Sequence, residues 1–140
     1  GNWVQIQDGS NKYARAPVTD NFPLSMWSNR WSSMPVSVFP GFRLPDPDSR
    51  AFLDYMPGSE IPVLRQPFAQ GDLLPYWSMG VSVNDHHLYN LKEDPAEDHN
   101  LVGGGDKQDK ILEKQMIELL RSALTEMAAP QDQFERLGLK

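Results

Sequence analysis

The distribution of proline constrains this chain more than any other feature. Because proline lacks a backbone N–H and clashes with the preceding helical turn, a proline-dense segment excludes helices of ordinary length. Ten of the twelve prolines lie between residues 17 and 75: Pro17, Pro23, Pro35, Pro40, Pro45, Pro47, Pro57, Pro62, Pro67 and Pro75. The one short helix that we expect in this segment runs from Asp48 to Met56. Eight aromatic residues in the same segment argue against a flexible linker. We predict an ordered but irregular, loop-rich segment over 17–75.

Two hairpins are predicted on either side of this segment. Over residues 1–16, Val4 and Ile6 alternate with polar residues, and the turn residues Asp8 to Asn11 separate them from a returning strand. Over residues 76–91, small residues alternate with Trp77, Met79, Val81 and Val83 before a turn at Asn84 and Asp85. Each run has the period-2 pattern of a half-buried strand.

A long helix over 107–128 is the most regular pattern in the chain. Leu112, Met116, Leu120, Leu124 and Ala128 recur four apart, and Leu119, Ala123 and Met127 extend the apolar stripe. Asp106 is the expected N-cap, and Pro130 lies just past the helix. The tail over 130–140 is expected to dock in a short turn. These patterns together predict one α+β domain over residues 1–140. We expect a small antiparallel sheet of about four strands, with the long C-terminal helix packed on one face.

Composition excludes several classes of function. The formal net charge of −6 repels phosphate backbones, so we expect no nucleic-acid partner. No run of about 18 apolar residues exists, so we expect no membrane partner. The absence of cysteine excludes disulfides, thiolate metal ligands and a cysteine nucleophile within these residues. Gly1 in place of Met leads us to expect a piece of a longer protein.

The histidines and acidic residues do not form a recognisable metal or catalytic pattern. His86 and His87 are neighbours and face opposite ways on a strand, so they cannot share a metal ion. Surface or turn histidines are the favoured interpretation. Asp94, Glu97 and Asp98 lack the spacing of a calcium-binding loop, and we favour a cap of a short helical turn at Asp94. Gly103 to Gly105 lack the Lys-Ser/Thr of a phosphate-binding loop.

The aromatic pair Trp27 and Trp31, with Arg30 between them, is the main candidate for contact with a ligand. On a helical turn the two rings would lie on one face, four residues apart. That arrangement suits a sugar or aryl group, but a hydrophobic plug is the favoured alternative. The residues predicted to contact a substrate or partner are Trp27, Arg30, Trp31, His86 and His87.

Three segments resemble sulfatases. Residues 87–101, HLYNLKEDPAEDHNL, resemble the L-Y-D-L-x-x-D-P-x-E-x-x-N-L segment that ends the last strand before the C-terminal helix in that family. Residues 4–15, VQIQDGSNKYAR, are similar to the V-x-D-G-R-Y-K-Y-x-R hairpin of the same subdomain. Residues 129–139, APQDQFERLGL, resemble the tail of a bacterial arylsulfatase-like subgroup. Residues 32–75 match only weakly.

The resemblance implies a C-terminal subdomain without catalytic parts. Sulfatases use a formylglycine, made within a C/S-x-P-x-R motif, beside a divalent metal that is usually calcium. Both belong to a large N-terminal domain. The nearest string here, Ser33 to Ser37, has Ser where the motif has Arg. We therefore expect no catalytic residue, metal or cofactor in this chain, and a sulfatase catalytic domain as its partner, on which it packs and whose substrate pocket it helps to wall.

Two further hypotheses concern binding. The alternative function is a free-standing module that binds a glycan or a protein without catalysis. The net charge speaks against a sulfated glycan, which usually needs a basic face. If the aromatic segment 17–75 lacks its partner, a homodimer through that segment is expected, with Trp27, Trp31, Phe39 and Phe42 as contact candidates.

Overall fold

The described part of the chain forms two small sheets and two helices. The computed structural model describes residues 3–18, 22–29, 51–68 and 85–140. Within them the elements follow in this order: β1 Val4–Gln7, β2 Asn11–Arg15, β3 Leu24–Ser28, β4 Phe52–Tyr55, β5 Pro62–Phe68, β6 His87–Asn90, α1 Lys107–Glu126 and α2 Gln131–Arg136. The α+β class is confirmed. The described strands form two antiparallel sheets of three strands each, rather than one sheet of about four.

The first sheet has the order β1-β2-β6 and contains the predicted N-terminal hairpin. Its turn forms because the Asp8 carboxylate accepts hydrogen bonds from the backbone N–H groups of Ser10 (2.8 Å) and Asn11 (2.7 Å). Gly9 supplies the left-handed φ of 91° that this turn needs. The β6 strand of the predicted 76–91 hairpin is present and pairs with β2. The opposing strand of that hairpin, 77–83, lies outside the described residues.

The second sheet corrects the prediction for 17–75. The strands β3, β5 and β4 pair in that order where we expected irregular structure, and Phe52–Tyr55 is a strand where we expected a helix. Proline does not prevent this. Pro62 is the first residue of β5 and Pro57 lies outside the strands, and Pro67 lies beyond the last β4 pair, where β5 pairs with β3 alone. At the β4–β5 turn, Gly58 has a φ of 73°, and a Cβ there would lie 3.3 Å from the Cβ of Ala128, just past α1.

The core lies between the first sheet and α1. Ile6, Tyr13 and Leu88 stand opposite one another across the three strands. Met116, Leu120 and Leu124 of α1 pack against this row, as the spacing of four predicted. The adjoining stripe does not follow the prediction, because Leu119 and Met127 are 39% and 67% exposed. Ile117 widens the buried side instead. In the main stripe, Leu112 packs against the core as predicted, whereas Ala128 is exposed.

Both ends of α1 match the sequence pattern. Asp106 caps the first turn by accepting a 2.7 Å hydrogen bond from the backbone N–H of Gln108. After the helix, Pro130 introduces α2, and the tail docks as predicted, with Leu137 and Leu139 buried in the core. The Arg15 guanidinium holds the tail by donating a 2.8 Å hydrogen bond to the carbonyl of Leu137.

Replacement of Leu120 by alanine should lower the free energy of unfolding by about 2–5 kcal/mol, because it leaves a cavity where a leucine side chain now packs. Leu120 is only 2% exposed. Urea denaturation followed by circular dichroism measures the change. Leu119→Ala is the matched control on the same helix and should cost under about 1 kcal/mol, as surface changes do. Equal losses for the two variants would contradict the assignment of the buried face.

Candidate functional site

His86 and His87 point to different surroundings, as their adjacency predicts. The ring of His86 lies 6.3 Å from that of Tyr13, whose hydroxyl donates to the Glu113 carboxylate of α1 (3.3 Å). The ring of His87 instead contacts Trp3 and Tyr89. The buried Leu88 separates His87 from Tyr89 along β6, so both rings lie on the face of the first sheet opposite α1.

Trp3, His87 and Tyr89 form a group that we call the aromatic row. His87 stacks on Tyr89 with 6.1 Å between ring centroids and 18° between planes, and Trp3 meets His87 edge-on at 5.9 Å. A hydrogen bond of 3.1 Å joins the Nδ1 atom of His87 to the hydroxyl of Tyr89, and Trp3 donates to the carbonyl of Asp85 at 3.0 Å. The three side chains are partly exposed. Fixed rings at a sheet surface can stack on an aryl group or a sugar.

His86 has a structural role. Its Nδ1 accepts a 3.1 Å hydrogen bond from the backbone N–H of Ala16, which requires the neutral ring with its proton on Nε2. Burial lowers the pKa of His86, and the nearby Arg15 lowers it further. The His86 carbonyl accepts from the side chain of Asn100 (3.0 Å). His86 therefore joins the end of β2 to β6 and does not face an open surface with His87.

The segment after β6 is a tightly bonded turn. The side-chain oxygen of Asn100 accepts hydrogen bonds from the backbone of Leu88 (2.9 Å) and Val102 (3.1 Å), and Leu101 donates to the Leu88 carbonyl (2.9 Å). Glu97 pairs with Lys12 of β2 at 2.6 Å. These contacts fix the path from the last strand of the first sheet to α1.

Asp94 caps this turn but does not begin a helix. Its two carboxylate oxygens accept hydrogen bonds from the backbone N–H groups of Asp98 (3.1 Å) and His99 (2.8 Å). The hydrogen bond from His99, followed by that from Asp98, lowers the pKa of Asp94. The predicted helical turn is wrong because Glu97 has a left-handed φ of 61°, which no helix contains.

Trp27 lies on the strand β3 rather than on the helical turn that we predicted for it. On β3 it stands opposite Arg65, and Arg65 stands opposite Phe52 on β4. The guanidinium carbon of Arg65 lies 4.9 Å from the centroid of the Trp27 ring and 5.8 Å from that of Phe52, which is cation–π geometry. Arg30 and Trp31 lie outside the described residues.

The same guanidinium connects the second sheet to α2. It donates to Ser25 Oγ (2.9 Å) and to Asp132 Oδ2 (3.2 Å), and Ser25 donates to that oxygen at 2.6 Å. A second charged contact, to Asp54, measures 3.5 Å. Asp132 is almost fully buried, which the ion pair makes tolerable. Sequence reasoning missed this cluster, because Arg65 and Asp132 are 67 positions apart and belong to no common pattern.

A groove of about 580 Å³ lies between the turn after β6 and the first half of α1. Its walls include Glu93, Asp94, His99, Asp109, Leu112 and Gln115. The carboxylates repel anions, so the groove does not suit a sulfate group. Within the ranges that the structure describes, no three His, Asp or Glu side chains converge as metal ligands.

The predicted contact residues that the structure describes lie on two different sheets. Trp27 belongs to the second sheet, whereas His86 and His87 belong to the end of the first. Neither described helix is both long and apolar enough to span a membrane. Comparison with known proteins finds no family model, no curated protein and no solved structure that matches this chain. The aromatic row is therefore the candidate site on its geometry alone.

The lowered pKa of His86 predicts a loss of stability in mild acid. The folded chain binds the His86 proton less readily than the unfolded chain, whose histidine pKa is about 6.5. The stabilisation that the neutral His86 ring contributes is complete above that pH, and it declines as the pH falls toward the pKa of His86 in the folded chain. The slope is at most about 1.4 kcal/mol per pH unit. Urea unfolding of the wild type and of His86→Gln between about pH 7.5 and 5 measures it, because the variant lacks this titration.

His99→Gln is the control for this experiment, because the side chain of His99 is 84% exposed. It should retain the pH dependence of the wild type. If His86→Gln and the wild type lose stability in parallel, protonation of His86 is not coupled to folding, and Nδ1 of His86 does not hold the hydrogen bond from Ala16.

Removal of the Arg65 side chain should lower the free energy of unfolding by about 1–3 kcal/mol, because the buried Asp132 carboxylate loses the guanidinium that pairs with it at 3.2 Å. Arg65→Ala is compared with Arg121→Ala, which breaks the surface pair to Glu118 and should cost less than about 0.5 kcal/mol. Denaturation curves at one pH give both values. A cost for Arg65→Ala as small as that of the control would mean that the cluster does not hold α2.

Proposed function

We propose that this chain is the C-terminal subdomain of a sulfatase-like sulfuric ester hydrolase. In this proposal it packs on a catalytic domain that lies outside these residues and helps to wall its substrate pocket. One observation carries the proposal: residues 87–101, which resemble the sulfatase segment, form the last strand of the first sheet and the turn that leads to the long helix. That is the place in the fold that the resemblance implies.

The three resembling segments also contact one another. Lys12 of the N-terminal segment pairs with Glu97 of the 87–101 segment, and Tyr13 stands opposite Leu88. Arg15 holds the backbone of the C-terminal segment at Leu137. Segments from both ends of the chain thus form one packed unit, which is how a subdomain of this kind would use them.

The aromatic row is the part of this unit best suited to face a substrate. Its rings can contact the organic part of a sulfate ester by stacking. The sulfate group itself needs positive charge, but Lys12 on the same face is neutralised by Glu97 at 2.6 Å. In the proposal, therefore, the catalytic domain holds the sulfate and this chain contributes contacts to the rest of the substrate.

The alternative, a free-standing binding module, draws on the same aromatic row. The two functions differ in what else the gene encodes. A coding region upstream of Gly1 that contains a C/S-x-P-x-R motif in the same reading frame supports the subdomain. A reading frame without that motif contradicts the subdomain and favours the module, whose binding to neutral sugars can be measured by titration calorimetry.

The chain alone should not hydrolyse an aryl sulfate, with calcium present, above the rate of a heat-inactivated sample. Its sequence lacks the nucleophile motif, and its described residues contain no metal-ligand group. Release of the chromogenic phenol is followed by absorbance. Turnover that persists through a second purification would contradict the proposal.

Co-expression of the upstream region with this chain tests the pocket contact directly. The reconstituted enzyme should be active, and His87→Ala should raise KM while it changes kcat less, because a stacking contact contributes to binding. His99→Ala, an exposed histidine of the turn after β6, is the matched control and should leave KM unchanged. A His87→Ala enzyme with the wild-type KM would show that the aromatic row does not contact the substrate.

A further inference from the structure

Two exposed glutamines share the face of the first sheet that carries the aromatic row. Across the three strands the residues of this face stand opposite one another in two sets: Gln5, Ala14 and His87, and next to them Gln7, Lys12 and Tyr89. Both glutamines are exposed. Neither side-chain amide has a hydrogen-bond partner within the described ranges. The face therefore presents amide groups on β1 and aromatic rings on β6.

The side chain of Trp3 crosses the sheet on this same face, which it shares with Gln5 because residues two apart on a strand point the same way. Continuing the register of both strand pairs places Trp3 opposite Ala16, and Ala16 opposite Asp85. Trp3 Nε1 donates to the Asp85 carbonyl at 3.0 Å, so the side chain passes over the central strand. Ala16 is fully buried, and its small side chain leaves room for the crossing. The aromatic row thus begins beside the glutamines and continues along β6.

The charges of Lys12 and Glu97 cancel at this face. Lys12 Nζ donates to both oxygens of the Glu97 carboxylate, at 2.8 and 2.6 Å. The ammonium group keeps a third N–H, and each carboxylate oxygen keeps a lone pair. The pair can therefore bind a hydroxyl, whereas an anion meets the carboxylate and a cation meets the ammonium group.

A ligand that contacts both the rings and the glutamines has to reach across the sheet. The strands β1 and β6 lie about 10 Å apart, because β2 lies between them. One sugar ring does not cover that distance, whereas two linked rings do. The width of the face therefore favours a ligand of at least disaccharide length.

We propose that this face binds a neutral oligosaccharide, whose rings stack on the aromatic row while its hydroxyls bind the two glutamine amides and the Lys12–Glu97 pair. An amide both donates and accepts hydrogen bonds, as a hydroxyl does. An aryl group offers the amides no such partner, so covering them with it removes their hydration without replacement. In the enzyme this inference rests on the proposed function, because the oligosaccharide is then the organic part of the sulfate ester.

The groups of this face all lie outside residues 17–75, through which we expect a homodimer. That dimer stays a prediction, because three of its contact candidates lie outside the described residues: Trp31, Phe39 and Phe42. The two surfaces can be tested separately.

Titration of the isotope-labelled chain, followed by nuclear magnetic resonance, tests the ligand class. The probes are cellotetraose, maltotetraose, mannotetraose, xylotetraose and chitotetraose, each with the methyl glycoside of its monosaccharide, and 4-methylphenol as a neutral aryl group. At least one tetrasaccharide should shift the Trp3 Nε1–H and the side-chain amides of Gln5 and Gln7. It should bind at least about tenfold more tightly than its methyl glycoside, because it adds a second stacked ring and its hydrogen bonds. No shift with any tetrasaccharide, or shifts confined to α1 or the second sheet, would overturn the proposal.

Replacement of the glutamines separates hydrogen bonding from stacking. The double variant Gln5→Ala/Gln7→Ala should bind the tetrasaccharide at least about fivefold more weakly, because two hydrogen bonds are lost. Its response to 4-methylphenol should not change. Gln131→Ala, an exposed glutamine of α2, is the matched control and should bind like the wild type. The amide spectrum of each variant reports its fold, and the single variants serve if the double variant is unfolded. Equal binding by the double variant and the control would contradict the assigned contacts.

Failure of this inference can be distinguished from failure of the proposed function. Tetrasaccharide binding by a chain whose reading frame lacks the C/S-x-P-x-R motif overturns the proposed function and supports the sugar-binding face. A reading frame with the motif, together with a chain that responds to 4-methylphenol and to no tetrasaccharide, overturns the sugar-binding face alone.

Discussion

The packing of one face of α1 on the first sheet is the contact on which the rest of the structure depends. Tyr13 and Leu88 belong to strands 75 positions apart in sequence, and they form one surface only because Leu120 and its neighbours on α1 cover both. Leu137 and Leu139 pack in the same core, so the tail contacts the N-terminal hairpin. Apolar burial of this kind is the main favourable term in folding, but it does not by itself select one register.

Polar contacts around this core select the register. Asn100 completes the backbone hydrogen bonds of Leu88, the Glu97 carboxylate reaches Lys12, and Arg15 binds the tail carbonyl at Leu137. Each joins two segments that the core already brings together, and each has a geometry that a shifted register would break. The polar residues of the turn after β6 thus act as structural parts of this fold, and the aromatic row lies on the face of the first sheet opposite α1.

The second sheet is organised differently, around a charge rather than an apolar layer. The Arg65 guanidinium lies over the rings of Trp27 and Phe52. Its nitrogens contact Ser25, Asp54 and Asp132. This cluster joins α2 to β3 through charged side chains. Leu53 and Tyr55 of β4 are exposed apolar side chains of this sheet.

Local chemistry in the sequence determined the first hairpin, the long helix and its cap, because turn residues such as Asp8 and Gly9 and a repeat of four act over short distances. The same reasoning failed for 17–75. Proline density predicts where helices are absent, but short strands such as β4 form when a distant partner offers hydrogen bonds. The candidate site was also predictable only in part from the sequence. The opposite facing of His86 and His87 follows from strand alternation, whereas the partners of His87, Trp27 and Asp132 depend on segments that only the folded chain brings together. Tertiary structure alone decided these contacts, because the free energy of an ion pair or a ring stack depends on distance and burial in space rather than on separation along the chain.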